Sequence, residues 1–250
     1  MDPKGKTALI TGGAVRVGKA ITLALAEAGA NVVVNYNRSA GPARETTAAA
    51  RAFGVGALAV QSDIGDQQQV AAMAAAAKTE FGGVDILVNN ASLWMKTPFP
   101  ADNLDAWQSV TNILINGSFY CANAVAPLML AKGEGAIVNI IDLSAYEPWP
   151  DYIAHSTGKA ALLAMTRQLA LELAPAVRVN AVAPGPVLPP PDFDDAMIAR
   201  SADKTLLNRW GTPEDIAEAV LFFVKAGYVT GEALAVDGGQ RFGHRKYEHG

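Results

Sequence analysis

The sequence predicts an α/β fold, a single doubly wound parallel sheet of seven strands with helices on both faces. Two observations carry this expectation. Short apolar runs alternate with longer helical segments from one end of the chain to the other, the pattern of repeated β-α units. No linker and no internal repeat interrupts them, and 250 residues with 50% hydrophobic and 18% charged content suit one large domain with a sizeable core.

Taken in order, Thr7–Thr11 reads as the first strand and Arg16–Ala28 as a helix ended by Gly29. Asn31–Asn35 is the second strand, Pro42–Phe53 a helix, Ala57–Gln61 the third strand, and Gln67–Phe81 a helix stopped by Gly82-Gly83. Val84–Val88 is the fourth strand; a long helical region over Leu104–Ala131 leads to the fifth, Ala136–Ile141. Helix Tyr152–Leu173, strand Val177–Val182, helix Pro213–Val224 and strand Ala233–Val236 complete the pattern. The run Pro184–Pro191 is too short for a domain boundary and reads as a rigid loop, and residues 240–250 as a polar tail free to fray. His244 and His249 in that tail are expected to face solvent rather than bind a metal.

A net charge of −4 argues against nucleic acid as partner. The one cysteine, Cys121, excludes an internal disulfide framework and sits in an apolar run as a packing residue. The start, MDPKGKTALITGG, enters a strand without a signal-peptide pattern, and no apolar run reaches membrane-spanning length, so a cytoplasmic protein without a membrane partner is expected.

Polar clusters recur at strand ends, where open parallel sheets bind ligands. The turn Thr11-Gly12-Gly-Ala-Val-Arg16-Val17-Gly18 joins a strand to a helix. Its glycines let the backbone approach a pyrophosphate, and Arg16 could reach a phosphate directly. After the second strand stand Tyr36, Asn37, Arg38 and Ser39, with no acid until Glu45. A site selective for NAD would place a carboxylate there for the ribose 2′-hydroxyl; Arg38 and Ser39 instead suit a 2′-phosphate, so NADPH is the expected cofactor. Asp63 and Ile64 follow the third strand, Asp63 as an acceptor for the adenine amino group, and Asn90, Ala91 and Ser92 follow the fourth, against the ribose. Trp94, just beyond, is either a lid over the substrate or a core plug, the lid being favoured by its place. Between the fifth strand and the next helix lie Asp142, Ser144, Tyr152, His155 and Lys159. Tyr152, His155 and Lys159 are spaced i, i+3 and i+7, one helical stripe facing a strand-end carboxylate.

Together these pieces resemble the short-chain dehydrogenase/reductase superfamily over nearly the whole chain: the Thr11–Gly18 turn, Asp63, Asn89-Asn90-Ala91, Asn116, Lys159, Pro184-Gly185 and Asp237-Gly238-Gly239. Within it the chain looks most like the pteridine reductases, on Arg16, Asn37-Arg38-Ser39, Asn90-Ala91-Ser92, Trp94, and Asp142 where the superfamily usually has serine. The resemblance implies hydride transfer from NADPH to a C=N or C=O carbon of a pterin-like substrate stacked on Trp94. It also implies Lys159 on the nicotinamide ribose, Asn116 supporting a proton-relaying water, Pro184, Gly185 and Val187 against the cofactor, Arg16 meeting both cofactor phosphate and pterin, and a homodimer or homotetramer. One departure stands out. Four residues before Lys159, where the superfamily signature has tyrosine, stands His155; Tyr152 lies seven before it. Asp142, His155 and Tyr152 are therefore all candidate proton donors, with Asp142 and His155 expected to act as a pair and Tyr152 to orient substrate. Two alternatives are a carbonyl or enoyl reductase on a non-pterin substrate, and a nucleotide-binding protein with impaired catalysis.

Overall fold

The structure is a computed structural model and describes residues 1–190 and 193–247, with the side chains of 244–247 left out. His249 and Pro191 lie outside the described residues, and so does the side chain of His244.

Seven parallel strands form one sheet in the order β3-β2-β1-β4-β5-β6-β7. They are β1 Thr7–Ile10, β2 Asn31–Tyr36, β3 Ala57–Gln61, β4 Ile86–Asn89, β5 Gly135–Ile140, β6 Val177–Pro184 and β7 Ala233–Val236. The helices are α1 Arg16–Glu27, α2 Ala40–Arg51, α3 Gln67–Phe81, α4 Asp105–Thr111, α5 Ser118–Lys132, α6 Ile153–Leu173, α7 Asp195–Asp203 and α8 Pro213–Lys225. Side chains alternate along each strand, and the two faces bury different sets. Ala8, Ile10, Val32, Val34 and Val88 pack on Ile21 and Leu25 of α1 and Val220 and Phe223 of α8. Leu9, Val33, Leu87 and Ile137 pack on Met73 of α3 and Val125 and Met129 of α5.

The chain runs outward from β1 to β3, then returns to β4 on the other side of β1. That reversal opens a crevice beyond the carboxyl ends of β1 and β4, where a doubly wound sheet places its ligand.

Three expectations are corrected. The region read as one helix over Leu104–Ala131 is α4, a π-helical turn Asn112–Gly117, and α5. It is long and apolar enough to cross a membrane by length and composition alone, with a mean hydropathy of 1.4 over its best window. In the fold it supplies Cys121, Val125 and Met129 to the core instead. Helix α7 has no counterpart in the sequence pattern, because it buries no side chain fully and so has no core-facing stripe to read. Tyr152 is not in α6 but precedes it, with φ −125° and ψ 41°. Within the polar end, Gln240–Tyr247 form a 3-10 helix.

Candidate active site

A cavity of about 920 Å³ occupies the crevice. At one end it is walled by Gly12, Val15, Arg16, Val17 and Gly18 of the first turn, by Tyr36, Asn37, Arg38 and Ser39 after β2, and by Ile64, Asn90, Ala91 and Ser92. At the other are Asp142, His155, Lys159, Trp94 and Trp149, with Pro184, Gly185 and Val187 along the edge.

The first turn closes tightly. Gly12 has φ +61°, and a Cβ on residue 18 would collide with the Gly12 carbonyl oxygen, so Gly18 has to be glycine. Arg16 has φ +54°, a left-handed conformation that a side chain other than glycine adopts at a cost. Helix α1 starts here without a capping side chain and without an acid in its first turn, and α2 starts after Ser39 in the same way. Two uncapped helix N-termini flanked by Arg16 and Arg38 therefore face one cavity, an arrangement that could hold the phosphates of a dinucleotide.

Two expected cofactor residues play a different part. The Thr11 hydroxyl oxygen accepts from the Asn90 and Ala91 amides at 2.9 and 3.0 Å, so Thr11 ties the β4 loop to the turn without lining the cavity. Asp63 also stays off the cavity wall; its carboxylate accepts from the Gly65 amide at 2.9 Å. Ser62 lines the cavity in its stead.

At the chemical end, Nε2 of His155 lies 2.7 Å from Oδ2 of Asp142. Oδ1 accepts from both the amide and the hydroxyl of Ser144. Burial pushes the Asp142 carboxyl up, but the His155 hydrogen bond, the Lys159 and His155 charges and the Ser144 hydroxyl together outweigh it, and the carboxyl sits below its ordinary value. An ionised carboxylate only accepts, so Nε2 carries the proton. Lys159 is buried and donates to the Ile140 carbonyl at 2.8 Å. Burial lowers its pKa, with Asp142 opposing.

The aromatic side chains cluster over this pair. Trp94 is half exposed, meets His155 edge-on at 4.6 Å, and stacks on Tyr152 at 4.3 Å. Tyr152 therefore stands behind the indole rather than on the cavity wall, and the expected stripe of three is a pair, His155 and Lys159. Asn116 also leaves the site. The π turn directs Leu114 inward against Gly158, while Asn116 is exposed, donates to Asn112 at 2.9 Å, and lines a second cavity of about 410 Å³ with Gln108 and Thr111. The extra residue of a π turn rotates the later positions about the helix axis, a shift invisible in the helical pattern. Trp149 is a site residue that the helical and strand patterns do not reveal, although a tryptophan between two prolines marks a stiff, ordered turn. Phe193 and Trp210 at the far rim come from loops without periodicity.

Comparison with known proteins matches residues 13–241 to the family described as enoyl-(acyl carrier protein) reductase. The 3beta-hydroxysteroid dehydrogenase 1 of Eggerthella lenta is 38% identical over 247 residues, covering 95% of this chain and 94% of its own. The 3-oxoacyl-[acyl-carrier-protein] reductase of Synechocystis is 36% identical over 239 residues, covering 94% and 96%. Among solved structures, the NADPH-dependent 3-quinuclidinone reductase of Rhodotorula rubra superposes with a TM-score of 0.89 at 28% identity, covering 96% of this chain and 93% of its own. An NAD+-bound xylitol dehydrogenase superposes with a TM-score of 0.88 at 27% identity, covering 96% and 100%.

Proposed function

The chain belongs to the short-chain dehydrogenase/reductase superfamily, and on that premise we propose that it is an NADPH-dependent reductase acting on a C=N or C=O bond of a flat, pterin-like substrate. The observation that carries this reading is the Asp142–His155 pair, 2.7 Å apart on the cavity wall beside Trp94. A proton shared by a carboxylate and an imidazole, next to an exposed indole, suits a planar substrate that must receive a proton.

When bound, NADPH supplies the hydride. The chain's own residues do the rest. Arg38 and Ser39 would donate to the cofactor's 2′-phosphate, the uncapped amides of α1 and Arg16 would hold its pyrophosphate, and Lys159 would hold its nicotinamide ribose. Trp94 stacks on the substrate ring. With both ring nitrogens protonated, His155 would give the Nε2 proton, shared with Oδ2 of Asp142, to the substrate heteroatom and be left as a neutral imidazole beside the carboxylate. Exposed Phe119 on α5 and Leu171 on α6 support a homo-oligomer, dimer or tetramer, and the cytoplasm is the proposed location.

A second reading is a carbonyl reductase on a ketone with an apolar body. It is favoured by the names of the hydroxysteroid and oxoacyl relatives and by Leu188, Phe193 and Trp210 at the far rim. NADPH oxidation measured with 7,8-dihydrobiopterin, folate, a 3-ketosteroid, a 3-oxoacyl thioester and an enoyl thioester separates the two. Pterin or folate turnover supports the first; turnover confined to the ketones supports the second; NADPH binding with no turnover of any of them supports a catalytically impaired protein.

A further inference from the structure

The turn Pro148-Trp149-Pro150 has no part in the proposed mechanism, yet its indole runs parallel to the imidazole that carries the proton. The rings of Trp149 and His155 are nearly parallel, 10° between planes and 6.1 Å between centroids. Trp94 meets both edge-on, at 4.6 Å from His155 and 5.5 Å from Trp149. The turn is pinned to the start of α6: the Trp149 amide donates to the Ser156 hydroxyl at 3.4 Å, and the Tyr152 amide donates to the Trp149 carbonyl at 3.3 Å. The His155 residue is 2% exposed, and its Nδ1 is buried without a hydrogen-bond partner among the described residues. An imidazole with one satisfied and one orphaned nitrogen has two ways to relax: it can turn over and exchange them, or it can admit water to Nδ1. Turning over breaks the contact of Nε2 with Asp142, and the two indoles packed about the ring resist it.

We propose that Trp149 is a positioning residue for the proton donor: it fixes the plane of the His155 ring, so that the transferable proton stays on the side of Asp142. This rests on the reading of Asp142 and His155 as the acid. The charged group that meets the imidazole is Asp142 from the end of β5, and Lys159 of α6 acts on that carboxylate. The two loops packed on the ring contribute Trp94 and Trp149, which are uncharged, and the Tyr152 phenol is stacked behind Trp94.

The chain has three histidines, His155, His244 and His249, so the imidazole resonance of His155 is assignable by its loss in His155→Phe. Followed by NMR against pH in the full chain without substrate, Trp149→Leu should shift the His155 titration midpoint and broaden its resonance by exchange, and Trp149→Phe, which keeps a flat ring, should restore both. Ser156→Ala, which removes one of the two ties of the turn and changes no aromatic residue, should act in the same direction and carries the test if Trp149→Leu does not fold. With NADPH and 7,8-dihydrobiopterin, Trp149→Leu should lower kcat about tenfold, part of the ~10²–10⁴ that a general acid contributes, at unchanged KM for NADPH. A folded Trp149→Leu with wild-type His155 titration and linewidth overturns the proposal. Wild-type turnover in His155→Phe overturns the acid assignment instead, and the spectroscopic arm, which needs no substrate, still decides the role of Trp149.

Discussion

Burial alone would push the Asp142 carboxyl up, yet His155, Lys159 and Ser144 bring it below the ordinary value. Its folded pKa is therefore below its unfolded one near ~3.9. The stability it adds is fully present above the unfolded value and is lost as pH falls through the folded one. Asp142→Asn should accordingly destabilise at pH 7 by about 1–3 kcal/mol, and the gap to wild type should narrow below about pH 4; urea unfolding at the two pH values checks it. Trp94→Ala, by contrast, should weaken binding of a flat substrate and leave NADPH binding nearly intact, because half of its surface is open to the cavity mouth. Equal loss of both in ligand titrations, with a lower Tm, would favour a packing role. Asp142, His155 and Lys159 were legible in the sequence because a strand end and a helical stripe fix their directions. Tyr152 was not: it sits one residue before the helix begins, where the 3.6-residue period does not yet govern the side chain.

Helix starts set the cofactor end. The N-termini of α1 and α2 carry no capping side chain and no acid in the first turn, and Arg16 and Arg38 stand beside them. The double substitution Arg38→Ala with Ser39→Ala should remove most of a preference for NADPH over NADH of about tenfold or more, since each charge-assisted bond is worth roughly 1.5–3 kcal/mol. Dissociation constants for the two cofactors measured on both proteins would show it. Arg16 is held at φ +54°, a conformation that costs a non-glycine residue about 1–3 kcal/mol. Arg16→Gly should raise the Tm of the free protein and weaken NADPH binding, an opposition readable by thermal melting and titration. The glycines and the arginine of the strand-to-helix turn marked this part of the cavity wall in advance. Asn116 shows where the pattern misleads: the π turn keeps a helical appearance and changes which residue faces inward, so Leu114 occupies the interior.

At the scale of the whole molecule, the repeated exchange of short apolar runs for helices specified the sheet, because each strand must bury both faces and each helix one. The reversal between β1 and β4 then brings together residues as distant in sequence as Arg16, Asn90, Asp142 and Pro184 around one cavity. The aromatic rim was less legible, since Trp149, Phe193 and Trp210 lie in irregular segments whose directions are set by tertiary packing. The proposed chemistry depends on the proton coming from Asp142 and His155 rather than from the phenol. Single-turnover NADPH oxidation with 7,8-dihydrobiopterin, compared among wild type, His155→Phe and Tyr152→Phe, tests it most directly. The predicted result is a loss of ~10²–10⁴ in rate for His155→Phe and a change of only a few-fold for Tyr152→Phe; full activity in His155→Phe with none in Tyr152→Phe would contradict it.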